Sequence, residues 1–159
     1  MDRKDFRNAM ARLGAAVSIV TTDGPAGRAG FTASAVCSVT DDPPTLLVCM
    51  NRGSSAAAAV QANGVLCVNT LGPGHEDISN AFAGFTGLEG LDRFSYGTWD
   101  LLETGAPVLL DAAVSFDCRI GEVLEKGTHS VLFAQVVQVR VSEVVGGLIY
   151  YSRGYHVVG

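Results

Sequence analysis

Short apolar runs separated by glycine-rich turns follow one another along most of the chain. Alternating or β-branched apolar runs are typical of strands, and clusters of Gly, Pro, Asp and Asn between them are typical of turns. The predicted strands are 15–22, 29–40, 45–51, 65–71, 113–124, 130–141, 148–151 and 155–158. Many antiparallel strands with few helices indicate a mainly β protein built as a closed or partly closed, Greek-key-like barrel.

Three segments have helical spacing instead. The run 5–13 places apolar residues on one face, and 75–83 is predicted to be a second short helix. The segment 53–63 contains four consecutive alanines, with Ser54 or Ser55 as the expected N-cap and Gly64 as the stop. Residues 84–105 are predicted to form an ordered loop region, because the aromatic residues scattered through it need burial.

The length of 159 residues suits a single domain, 1–159, with its own core. Hydrophobic residues make up 48% and charged residues 17%, so the excess apolar surface predicts a homodimer. The net charge is −5 and the basic residues do not cluster, which argues against nucleic acid or an anionic membrane as partner. No run approaches the roughly 20 apolar residues of a membrane span, so we expect a soluble, cytoplasmic protein.

The four cysteines, at positions 37, 49, 67 and 118, each lie in an apolar, strand-like run. Their spacing matches no CxxC metal or redox pattern. We therefore expect buried, reduced thiols that behave as small hydrophobic side chains, and we predict no metal site.

The predicted strand 29–40 is unusual because it combines small and hydroxyl-bearing residues. Small side chains would let a flat ring lie against the backbone, while Thr32, Ser34 and Ser38 would add hydroxyl groups. The alternative is a strand whose small residues only permit close packing, and composition alone favours that alternative.

The sequence Asn51-Arg52-Gly53-Ser54-Ser55 precedes the alanine-rich helix. Free amide groups, the helix dipole and Arg52 would favour an anion there, although many helices begin this way without binding one. Both features fall within a short stretch of chain and would form two ends of one pocket. No GxSxG motif, P-loop or paired-carboxylate motif points to hydrolase chemistry.

With these features in place, the sequence resembles the short-chain flavin reductases of two-component monooxygenases across nearly its whole length. The block 30–55 carries most of the resemblance. The remaining matching segments are 6–10, 16–22, 69–71, 82–84, 93–94 and 127–129.

The resemblance implies an FMN-binding split barrel, a homodimer with the flavin near the interface, and reduction of FMN by NADH. FAD and NADPH remain alternative substrates, and the reduced flavin is expected to diffuse to a flavin-dependent monooxygenase. Residues implied to border the ring and ribityl chain are Thr32, Ala33, Ser34, Ser38 and Val39. Those implied near the phosphate are Asn51, Ser54 and Ser55, while Phe82 and Ala83 face the flavin.

His129 matches the family's histidine on the nicotinamide side and is the candidate catalytic residue, with Tyr155 as a further cofactor-binding candidate. The family often has Gly-Asp-His where this chain has Gly127-Thr128-His129, so no role of an aspartate carries over. Three other functions stay open. They are a flavin-mediated reductase of a corrinoid or ferric chelate, a non-catalytic flavin- or haem-binding barrel, and an interaction module.

Overall fold

Twelve strands and three α-helices make up the protein, whose computed structural model describes Met1–Gly159. The first half contains α1 (Arg3–Met10), β1 (Ala15–Ala16), β2 (Ser18–Thr22), β3 (Ala29–Ala33), β4 (Val36–Asp41), β5 (Pro44–Asn51), α2 (Ala57–Asn63) and β6 (Val65–Thr70). The second half contains α3 (Glu76–Phe82), a 3-10 helix (Gly90–Ser95), β7 (Trp99–Leu101), β8 (Pro107–Leu109), β9 (Val114–Lys126), β10 (His129–Val141), β11 (Gly147–Tyr151) and β12 (Gly154–Val158).

Seven of the strands form one antiparallel sheet in the order β3-β2-β6-β9-β10-β5-β4. Its two edge strands, β3 and β4, are consecutive in the chain, so the sheet curls until its edges approach each other. A smaller sheet joins β1, β11 and β12, and β7 pairs with β8. The predicted mainly β split barrel is confirmed.

The prediction of one strand over 29–40 is wrong, because the chain changes partners at Ser34 and Ala35. β3 pairs with β2, whereas β4 pairs with β5 at the opposite edge of the sheet. Beside this break the Cys49 amide donates to the Ala35 carbonyl at 3.0 Å. Small residues at this corner allow the two edges to meet.

Both ends of α1 and the start of α2 differ from the prediction by two or more residues, and α1 ends at Met10 rather than residue 13. α1 begins at Arg3 rather than residue 5, because the Asp2 side chain accepts from the Lys4 amide at 3.1 Å and caps it. α2 begins only at Ala57, with Ala56 as its N-cap and no side-chain capping bond, so neither predicted serine cap is correct. The predicted stop at Gly64 is confirmed by its left-handed φ of 69°.

The core consists of two main hydrophobic clusters. The first fills the barrel with residues that include Val20, Val48, Met50 and Leu132. In the second, α3 packs Phe82 between the sheets, and Phe94, Tyr96 and Trp99 of the 84–105 region pack against this cluster, whereas Phe85 is exposed. The Phe82 and Phe94 rings meet edge to face, with centroids 5.0 Å apart, so this region is ordered as predicted.

The cysteine prediction is correct for two positions only. Cys67 and Cys118 are fully buried and unpaired. Burial raises the pKa of the Cys118 thiol to about 12 and raises that of Cys67 further. Cys37 is exposed and Cys49 half-buried, because both lie on the side of β4 and β5 that points away from the core.

None of the helices has the length and apolar character that a membrane-spanning helix requires.

Candidate active site

A cavity of about 490 Å³ opens where the two edges of the barrel sheet meet. The end of β3, the end of β5, the loop before α2 and the end of α3 all contribute to its wall. The predicted site residues that line it are Thr32, Ala33, Ser34, Asn51, Ser54, Ser55, Phe82, Ala83 and His129. The two ends proposed from the sequence therefore belong to one cavity.

One wall is the corner between β3 and β4, made of small residues. The Thr32 hydroxyl donates to the Ser79 carbonyl at 2.7 Å, so its proton is used within the protein. Ser34 and Ala35 are exposed at the corner itself, and the buried Ala33 beside them also lines the cavity. A flat ring can therefore lie against this backbone, as the sequence suggested.

Ser38 and Val39 were predicted to border the same ring, but the structure does not place them in the cavity. They follow the corner on β4, where the chain runs away along β5, and both are exposed on the edge of the sheet. The sequence could not show this position, because it predicted one continuous strand over 29–40. Such a strand would have kept Ser38 and Val39 in line with Thr32.

The opposite end of the cavity offers neutral hydrogen-bond donors. The Asn51 side-chain oxygen accepts from the Gly53 amide at 2.8 Å, which holds the loop tight and leaves the side-chain NH₂ group free. The Ser54 hydroxyl oxygen accepts from the Ala56 amide at 3.3 Å, so its proton can be donated outward. Together with Ser55, these groups can bind an anion such as phosphate.

Arg52 does not take part in that anion site, contrary to the sequence interpretation. Its guanidinium group donates to the carbonyl of His129 at 2.7 Å and to the carbonyl of Gly127. Arg52 therefore binds the turn between β9 and β10 and fixes the backbone at His129.

Arg93 is the cation at the cavity, and sequence reasoning assigned it no role. Its Nε donates to the Leu88 carbonyl at 3.0 Å and its Nη1 to the Phe82 carbonyl at 3.4 Å. In the sequence, only the segment 93–94 that matches the flavin reductase family pointed to Arg93. The surrounding loop has no periodicity from which its position could be predicted. Cys49 also lines the cavity without having been predicted there.

His129 is the first residue of β10 and pairs with Asn51 across the sheet. Its Nδ1 lies 2.9 Å from the Thr128 hydroxyl, while its Nε2 has no hydrogen-bond partner in the protein. The ring is half-buried at the cavity wall. This arrangement fixes the ring and leaves one nitrogen for a ligand.

Tyr155 lies in a neighbouring cavity of about 420 Å³, which shares Thr32, Ser34 and Ala83 with the first. Its hydroxyl group is 2.9 Å from the Ser79 hydroxyl and donates to the Asn80 side chain at 2.8 Å. The structure thus does not bring Tyr155 and His129 to the same cavity, although the two cavities share a wall.

The split barrel and the cavity at its meeting edges are those of a flavin reductase fold. Residues 10–159 match the Flavin reductase like domain family, and the chain belongs to it. A relative from Ancylobacter novellus, the FMN reductase (NADH) RutF, is 63% identical over 158 residues, covering 99% of this chain and 86% of its own.

Solved structures agree with this assignment. A chain from Haemophilus somnus 129PT superposes with a TM-score of 0.95 at 47% identity, covering 99% of this chain and 100% of its own. The NADH:FAD oxidoreductase SgcE6 of Streptomyces globisporus C-1027, solved with NAD and FAD fragments, gives a TM-score of 0.88 at 25% identity. The match covers 98% of this chain and 86% of that one.

Proposed function

We propose that this protein reduces FMN with NADH and releases the reduced flavin to a separate flavin-dependent monooxygenase. The observation that carries the proposal is the single cavity that joins a small-residue strand corner, a neutral anion site and His129 in a member of this family. The relative named as an NADH-dependent FMN reductase supports the choice of both substrates.

The residues present fit a flavin mononucleotide. A cavity of about 490 Å³ lies within the roughly 300–1,000 Å³ usual for small-molecule sites. The corner at Ala33 and Ser34 would hold the isoalloxazine ring, and Phe82 would close one side. Asn51, Ser54 and Ser55 would hold the phosphate, with Arg93 as the one arginine that lines this cavity.

A hydride passing from the nicotinamide to the flavin is chemistry that the two nucleotides supply when bound. The chain's task is to hold the two rings face to face and to exclude water between them. Backbone amide groups at the β3–β4 corner would stabilise negative charge on the reduced ring. The free Nε2 of His129 would orient the nicotinamide, and no essential acid or base is needed.

We also propose a homodimer, because one side of the barrel sheet presents an apolar surface beside the cavity. Val48, Met50, Leu132 and Ala134 point into the core, so their neighbours along β5 and β10 point outward. We define the outer apolar face as Leu47, Cys49, Leu124, Val131 and Phe133, which adjoin one another through the pairing of β5, β10 and β9.

The Cys49 side of the outer apolar face also lines the cavity, so a second copy seated there would border the flavin. Since the proposed activity consumes NADH, an intracellular reductant, we expect the protein to act in the cytoplasm.

Aerobic oxidation of NADH and NADPH, assayed with FMN, FAD and riboflavin, tests the reaction. We expect NADH with FMN to give the highest kcat/KM, and no turnover with any flavin would refute the proposal. Cobalamin and a ferric chelate as direct acceptors test the alternative reductases, which require faster turnover with those acceptors than with FMN.

Release of the product is tested separately by gel filtration of protein loaded with FMN. A site built mainly from hydroxyl and amide donors should lose its flavin during the run. A stoichiometric yellow complex that survives the column would contradict a diffusible reduced flavin.

A further inference from the structure

A third cavity, a groove of about 430 Å³, continues from the candidate active site on the side of its anion-binding end. The two share Ser55 and Arg93. We call it the arginine groove and define it by Arg28, Ala29, Ser55, Ala59, Glu89 and Arg93. Arg28, Ala29, Ala59 and Glu89 have no role in the site described above, and the inference below rests on the proposed flavin chemistry of the neighbouring cavity.

Two guanidinium groups border the arginine groove, and each has donors left over. Arg28 donates through Nε to the Asp23 carboxylate at 2.9 Å, and its Cζ lies 5.6 Å from the centroid of the Phe94 ring. The terminal NH₂ groups of Arg28 have no protein partner. Arg93 uses Nε and Nη1 on backbone carbonyls, which leaves its Nη2 free. A pair of fixed guanidinium groups with free donors matches the geometry of phosphate oxygens.

The rest of the groove suits a nucleoside rather than a bare ion. Ala29 and Ala59 present small apolar side chains that leave room for a flat base. Glu89 adds a carboxylate, which would repel a phosphate beside it but can accept hydrogen bonds from ribose hydroxyl groups. The groove thus combines positive charge, a carboxylate and an apolar surface within one space.

We propose that the arginine groove binds the adenosine diphosphate group of a dinucleotide substrate. Its phosphates would lie by Arg28 and Arg93, its ribose by Glu89 and its adenine against the alanines. Ser55 stands at the junction, so a ligand whose first phosphate occupies the anion-binding end continues directly into this groove.

Two substrates of the proposed reaction class carry this group. FAD extends from the flavin phosphate itself, whereas NADH would reach the groove by folding back from a nicotinamide on the ring. Steady-state kinetics of single variants distinguish these sources, because FMN lacks the adenosine diphosphate group and serves as the internal reference.

The test variant is Ala59→Gln, which fills the groove, and Ala58→Gln is its control. Both residues lie on α2, but Ala58 is exposed and does not line the groove. We expect Ala59→Gln to raise the KM for FAD, or the KM for NADH assayed with FMN, at least fivefold. The KM for FMN should stay within twofold, and Ala58→Gln should behave as wild type.

A second variant removes charge instead of space. Arg28→Gln should raise the same KM about tenfold, the loss expected for one charge-assisted hydrogen bond to phosphate. Arg119→Gln is the control, because that arginine forms an exposed ion pair with Glu103 away from the groove.

A rise confined to FAD assigns the groove to the flavin, and a rise confined to NADH assigns it to the reductant. Unchanged values for both, or an equal rise for FMN, would overturn the proposal. If the wild-type protein oxidises no NADH with FMN, the proposed function fails by itself. Calorimetric titration of wild type and Ala59→Gln with ADP then decides the groove, since ADP binding must be lost in the variant.

Discussion

His129 is the residue whose role separates binding of the reductant from binding of the flavin. The change His129→Ala removes the ring but leaves the backbone carbonyl that Arg52 holds. Loss of one hydrogen bond and of ring contact should raise the KM for NADH about tenfold while the dissociation constant of FMN changes less than twofold. Steady-state oxidation of NADH with FMN measures the KM, and fluorescence titration measures the dissociation constant of FMN.

The control for this prediction is His156→Ala. His156 lies on β12, is exposed and lines neither cavity, so its removal should leave both constants unchanged. Unaltered NADH kinetics in His129→Ala would remove His129 from the nicotinamide side.

Arg52 acts on the same residue through the backbone and is a positioning residue. The change Arg52→Met breaks two bonds to the turn between β9 and β10, which should lower the free energy of unfolding by about 1–2 kcal/mol. The KM for NADH should rise, but the salt dependence of FMN binding should not change, because the guanidinium group is not at the phosphate. Chemical denaturation and titration at two salt concentrations measure these effects.

Arg119→Met removes an arginine of similar exposure that holds no turn, and it should change neither quantity. A weaker salt dependence of FMN binding in Arg52→Met would return Arg52 to the anion site.

Among the elements, β6 contributes a buried amide that fixes the β7–β8 pair against the barrel. Asn69 is fully buried; its side-chain oxygen accepts from the Leu109 amide at 2.8 Å and from the Ser115 hydroxyl at 2.9 Å. Its NH₂ group donates to the Ile19 carbonyl at 3.1 Å. The side chain thus joins β2, β8 and β9 within the core.

Asn69→Ala should therefore destabilise the fold by about 3 kcal/mol, because it leaves several buried partners unsatisfied. In urea unfolding the midpoint should fall with an unchanged m value. Asn8→Ala removes one exposed hydrogen bond to Arg153 and should lower the free energy of unfolding by less than about 0.5 kcal/mol. Equal midpoints for the two variants would contradict this account of the core.

Local patterns predicted most elements because alternation and turn residues act over a few positions. The break at Ser34 and Ala35 was not predicted, since it depends on the position of the opposite edge of the sheet, where β4 pairs with β5. The contacts of Arg52 were not predicted for a similar reason, because its carbonyl partners lie 77 and 75 residues further along the chain. The start of α2 was misplaced because serines that resemble caps instead shape a tight loop around Asn51.

The same distinction holds for the candidate site. Predicted residues that are neighbours in the block 30–55 line the cavity wherever the chain stays at one end of it. Arg93 and Cys49 were missed because only the folded barrel brings them to that place. Tyr155 was assigned to the site from resemblance alone, and the structure puts it behind the shared wall.

At the scale of the whole molecule, the outer apolar face predicts a dimer with a mass twice the 16.6 kDa of one chain. Leu124 is 49% exposed on this face, so Leu124→Asp would place an unpaired charge in the interface. We expect the dimer dissociation constant to rise roughly a hundredfold, about 3 kcal/mol. Sedimentation velocity across a range of concentrations measures it.

Because Cys49 belongs to the outer apolar face and also lines the cavity, loss of the partner should also raise the KM for FMN. Val157→Asp is the matched control, since Val157 is 55% exposed on β12, outside the barrel sheet. That variant should remain dimeric with an unchanged KM. A wild-type protein that sediments as a fully active monomer would show instead that the face is free and that one chain completes the site.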